Sequence, residues 1–248
     1  MLSPAVNRPG AQTFRTAVAT VRRRVDSAAA RAAFERWRAA RPPNSVAEMR
    51  LIRRGNLHDV GGTQPAGDEI TRLWLAPPSR WRSEFDTPHG RVINIMRDGV
   101  WWSSHVRETW PLHGWRAQFD QTLKRVGSRL RGTPILVGGR PLQPFATLFW
   151  PTPLLDEFSW IAVSEGSWDG RSVSVLRCKS AGGLDNTPLP VGADEYEIWL
   201  DEERGVLLRA AARSGSTEIA TIELFDVDFD VRIDDAVFTA PTMAGVGG

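Results

Sequence analysis

The sequence predicts an α+β protein in which antiparallel strands dominate. Three observations predict it. Residues 69–105 read as four short strands joined by tight turns, and residues 161–230 read as a second run of strands linked by turns. Two other stretches, 11–41 and 144–160, carry the helical spacing or the apolar density of segments that cover a sheet.

The four-strand block is the clearest. EITRLWLA is broken by PPS, RWRSEF by DTPHG, and RVINIM is joined through Asp98-Gly99 to VWWSSH. Asp-Gly between apolar runs signals a hairpin because both turn positions tolerate positive φ. Trp74, Trp81, Trp101 and Trp102 all fall in these strands. Rings this wide must be covered by helices, a second sheet or a ligand.

The order "strand, Pro-Pro-Ser-Arg-Trp-Arg, strand, Asp-Gly, Trp-Trp" resembles the opening sheet of the LolA/LolB-type lipoprotein-carrier family. The later segments resemble its late strands and its closing "Asp-x-x-Phe-x-x-Pro": GRSVSVLRC, YEIWLDEERGVLLRAA, STEIATIELFDVDFD and DDAVFTAP. The likeness covers residues 46–241. It implies a single, strongly curved, antiparallel open-barrel sheet with helices packed in its concave side, and an acyl chain held in the apolar space between. It also implies a latch arginine before the proline of the first turn. Here Pro77 stands there, or Ala76 if the alignment slips by one, and neither side chain is a donor. Arg80 and Arg82 stand nearby.

Composition bounds the rest. A chain of 248 residues with 42% hydrophobic and 24% charged residues has the balance of a globular protein. A net charge of +2 and the lack of any nucleic-acid-binding motif give no expectation of a nucleic-acid partner. The single cysteine, Cys178, excludes an internal disulfide and a multi-cysteine metal site, and its place in SVSVLRC predicts a buried thiol. No run approaches the roughly 20 apolar residues of a membrane-spanning helix. AVATV is too short for a signal peptide and runs into Arg22-Arg23-Arg24, so a cytoplasmic location is expected. The resembled family is exported.

Taken in order, residues 1–10 are a loose lead-in and residues 11–43 an amphipathic helix with its proline stop. Phe14, Val18, Val21, Val25, Ala29 and Ala32 recur at intervals of three and four, Phe34 and Trp37 extend the stripe, and Pro42-Pro43 end it. This helix is expected to pack on the sheet; the alternative is an Arg-rich interfacial helix making peripheral contact with anionic lipid. The sheet domain is expected over 44–241, with a first strand at 45–55 and a frayed tail at 242–248. WRAQFDQTLKRVGSRLRG (115–132) admits a helix or a hairpin. PFATLFWPTPLLDEFSW (144–160) reads as two short helical pieces kinked at Pro151 and Pro153, either a core helix or a lid. Beyond it come a turn at Ser167–Gly170, a hairpin around Glu203-Arg204-Gly205, and an alternating strand with Ile219, Thr221, Glu223, Phe225, Val227 and Phe229 on one face.

Chemistry is sparse. His58, His89, His105 and His113 lack metal-ligand spacing, and no nucleophile elbow, P-loop or dinucleotide fingerprint is present. Asp226, Asp228, Asp230, Asp234 and Asp235 read as a solvated sheet edge rather than a calcium loop. No enzyme, metal or cofactor is expected. The expected function is binding or carrying a lipid or acylated ligand, with Trp74, Trp101, Phe149, Trp150, Phe158, Tyr196 and Trp199 as candidate lining residues. The alternatives are a protein-interaction module on the same scaffold with a filled core, and a hydrolase built around His105 with Ser103, Ser104 and Glu108.

Overall fold

A computed structural model describes residues 14–41, 67–77, 80–87, 90–97, 100–104, 108–111, 146–149, 151, 155, 158–180 and 189–240. The expected first strand at 45–55, the segment 115–132 and all four histidines lie outside them, and so does the hydrolase reading that needs His105.

The described strands form one open sheet of eleven. In chain order they are β1 (Ala17–Val25), β2 (Gly67–Ala76), β3 (Arg80–Thr87), β4 (Gly90–Arg97), β5 (Val100–Ser103), β6 (Glu108–Pro111), β7 (Phe158–Trp168), β8 (Arg171–Ser180), β9 (Glu195–Asp201), β10 (Leu207–Ser214) and β11 (Thr217–Phe229). Their order in the sheet is β6-β5-β4-β3-β2-β1-β11-β10-β9-β8-β7. The pairings within β2–β6 and within β7–β11 are antiparallel, as the hairpin signals predict. Arg97 pairs with Val100, so β4 and β5 are adjacent antiparallel strands, while Asp98-Gly99 lie outside the described residues. Asp169 and Gly170 both take positive φ (48° and 75°) between paired Trp168 and Arg171, which is the primed turn that twisted strands favour.

The N-terminal prediction needs correction. Residues 11–41 do not form one helix: residues 17–25 are strand β1, and only Ser27–Ala39 is helix, here α1. Ala17, Ala19 and Val21 are buried at a period of two. The stripe read at intervals of three and four includes Val18, Val21 and Val25, and branched side chains suit a pleated strand. Asp26 divides the two elements. Its carboxylate accepts from the Ala29 amide at 2.9 Å, and its own amide donates to the Ile219 carbonyl at 2.9 Å. Within α1 the buried residues are Ala30, Ala33 and Phe34, while Arg31, Glu35 and Arg38 are exposed.

Two compact units divide the chain, one comprising Met1–Thr13, Val21–Ile70 and Leu142–Phe225, the other Phe14–Thr20, Thr71–Pro141 and Asp226–Gly248. In the first, a short helix α2 (Ala146–Phe149) packs on β10 with Leu148 and Phe149 buried. Phe158 and Trp160, expected in a second helical piece, instead open β7. Asp201 is buried and accepts from the amides of Glu203 and Arg204 at 2.9 Å each, which shapes the β9–β10 turn. In the second unit a 3-10 helix (Asp235–Phe238) packs against β3 and β4 and buries Phe238.

The acidic run lies beyond Glu223, where the pairing of β11 with β10 ends, and all five aspartates are exposed. Its members have separate tasks. Asp226 and Asp230 take positive φ, Asp230 accepts from the Arg15 amide at 2.7 Å, Asp234 caps the 3-10 helix, and Asp235 pairs with Arg80. Among the described residues no His, Cys, Asp and Glu group is arranged to hold a metal.

Candidate ligand-binding site

The register sorts the aromatics onto faces. In an antiparallel pair, directly opposed residues share a face and neighbours alternate. In the second unit Leu75 opposes Trp81, Trp81 opposes Met96, Met96 opposes Trp101, and Trp101 opposes Trp110. This row crosses β2 to β6, and Leu75, Trp81 and Met96 are buried. Two residues along the strands runs a second row on the same face: Leu73, Ser83, Asn94 and Ser103. Thr71 and Phe85 follow in the next row. Ser83 and Asn94 are buried, and the Asn94 amide nitrogen stands 3.4 Å from the Ser83 hydroxyl. Thr71 is 1% exposed and its hydroxyl has no hydrogen-bond partner.

The opposite face of these strands carries Trp74, Arg82, Ile95 and Trp102 in one row. Trp74 and Trp101, both expected to line one ligand, take register positions in different rows, Trp74 opposite Arg82 and Trp101 opposite Met96. The Arg82 guanidinium lies 5.8 Å from the Trp74 ring centre, ion-pairs with Glu84, and donates to the Val237 carbonyl at 2.9 Å. Arg80 bonds Asp235 and stands over the Phe238 ring, and Arg97 donates to the Thr239 hydroxyl at 3.2 Å. The two arginines near the expected latch position thus hold the 3-10 helix.

In the first unit, Cys178, Tyr196 and Ala212 oppose one another on one face. Phe158 packs against Tyr196 at 5.0 Å between ring centres, and the Tyr196 hydroxyl donates to the Pro190 carbonyl at 2.9 Å. Burial pushes the Tyr196 phenol upward and raises the Cys178 thiol to about 12. Trp199, three residues from Tyr196, lies on the other face in a row with Val175, Arg209 and Glu223. There it meets Trp168 edge to face at 5.3 Å, and its indole nitrogen donates to Glu197. Arg209 gathers Glu197, Glu218 and Glu223 beside it. The structure thus brings Phe158 and Tyr196 together, places Phe149 on the helix over β10, and separates Trp199 from them. Trp150 lies outside the described residues.

Sequence reasoning missed Thr71, Ser83 and Asn94. The signal was the polar residue at an apolar phase, as in Trp81-x-Ser83-x-Phe85 and Val92-x-Asn94-x-Met96.

The expected interfacial helix lacks the surface it needs, since the apolar side of α1 (Ala30, Ala33 and Phe34) is buried. No described helix is long and apolar enough to cross a membrane.

No family model matches the chain, and no curated protein matches it. Among solved structures it is similar to an uncharacterized conserved protein from Thermus thermophilus, with a TM-score of 0.42 and 9% identity over 94% of this chain and 89% of that one. It is similar to MucB with a TM-score of 0.45 and 10% identity, covering 95% of this chain and spanning 60% of MucB. A LolA superfamily protein from Nitrosomonas europaea gives 0.28 and 10% identity over 94% and 91%. At these values the likenesses carry no argument about ligand or partner.

Proposed function

We propose that the chain is a non-enzymatic binding protein for an apolar ligand, a lipid or an acylated molecule, held on the Trp81 face of β2–β6. The observation that carries this reading is the apolar row of Leu75, Trp81 and Met96, continued in register by Trp101 and Trp110. Each methylene transferred from water into an apolar interior contributes roughly 0.8 kcal/mol, so a medium-length acyl chain suffices for useful affinity. Of the expected lining residues, Trp101 belongs to this row. Phe149, Phe158 and Tyr196 lie in the first unit, where α2 packs on β10 and Phe158 packs against Tyr196.

Native mass spectrometry of the purified protein, followed by organic extraction, tests the proposal. A bound fatty-acid or phospholipid mass, diminished in a folded Met96→Gln variant, is the expected result. A clean apo mass together with no uptake of an added acyl probe overturns it.

A specific observation favours a second reading, the protein-interaction module. Among the described residues β7 pairs with β8 alone, and Ile161 (49% exposed) and Val163 (43%) stand open on it. An edge strand is a template for pairing with another chain.

A further inference from the structure

We draw no further inference here: the strongest candidate, the outer edge of β7 with Ile161 and Val163 exposed on it, belongs to the protein-interaction reading already described, and nothing in the structure shows what covers it.

Discussion

Arg82 on β3 donates to the carbonyl oxygen of Val237 at 2.9 Å, across 155 residues of chain. The same guanidinium is paired with Glu84, and the neighbouring Arg80 bonds Asp235. The C-terminal 3-10 helix is thus fastened to the middle of the β2–β4 hairpins by side chains that alternate to one face of β3. Arg82→Met keeps the apolar stem and removes the charged donor, so it should destabilise the protein by about 1.5–3 kcal/mol. Phe238→Ala, which empties a fully buried site under the same helix, should cost about 3–5 kcal/mol. Urea unfolding of both variants measures the difference.

Gly170 and Gly192 both take positive φ, +75° and +93°, but only one has neighbours within reach of a side chain. A Cβ at Gly170 would meet nothing within 4 Å, so Gly170→Ala carries backbone strain alone, about 1 kcal/mol. A Cβ at Gly192 would stand 2.5 Å from the Ala33 carbonyl oxygen and 2.8 Å from the Trp37 Cβ. Gly192→Ala should therefore cost several-fold more than Gly170→Ala. Equal losses in thermal midpoint for the two variants would contradict the close approach of α1 to this turn.

Cys178 is buried on the Tyr196 face, and desolvation, with the Glu195 carboxylate as a lesser cause, raises its thiol to about 12. At pH 8 it should resist a disulfide reagent in the native protein and react with one equivalent on unfolding. Rapid native labelling would show that β8 and β9 open locally.

Glu195 accepts two bonds from Arg177, at 2.8 and 2.7 Å, and the bonded guanidinium holds its carboxyl below the ordinary glutamate range. A carboxyl lowered in the folded state contributes stability above its unfolded pKa and loses it as pH falls through the folded value. Glu195→Gln should therefore narrow its stability deficit relative to wild type between pH 7 and pH 3. Urea midpoints measured across that range check it, and a deficit that widens toward acid would reverse the sign. Both groups are near solvent, so the effect is small.

Much of the sheet was legible. Strict alternation in RWRSEF and RVINIM, bounded by turn residues, marks β3 and β4 because a half-buried strand needs one apolar face. Asp169-Gly170 marks the two-residue connection of β7 and β8. The N-terminal strand was not legible, since Val18, Val21 and Val25 satisfy a helical interval while Ala17, Ala19 and Val21 satisfy a strand. Nothing local chooses between them. The candidate site was legible only in part: the tryptophans were plain, but their division into faces was not.

The sequence by itself determines where strands can form and where the chain must turn, because alternation and turn chemistry are local. It also determines that the protein has one thiol and that its aromatics exceed what an exposed sheet can carry. Only the tertiary structure decided that residues 17–25 extend, since the slot between β2 and β11 supplies backbone partners on both sides. Only pairing register decided that Trp81 and Met96 share a face, that Trp74 lies behind them, and that Thr71, Ser83 and Asn94 are buried on the Trp81 side. A shift of one residue in any pairing would exchange those faces, and the choice rests on contacts between strands distant in sequence.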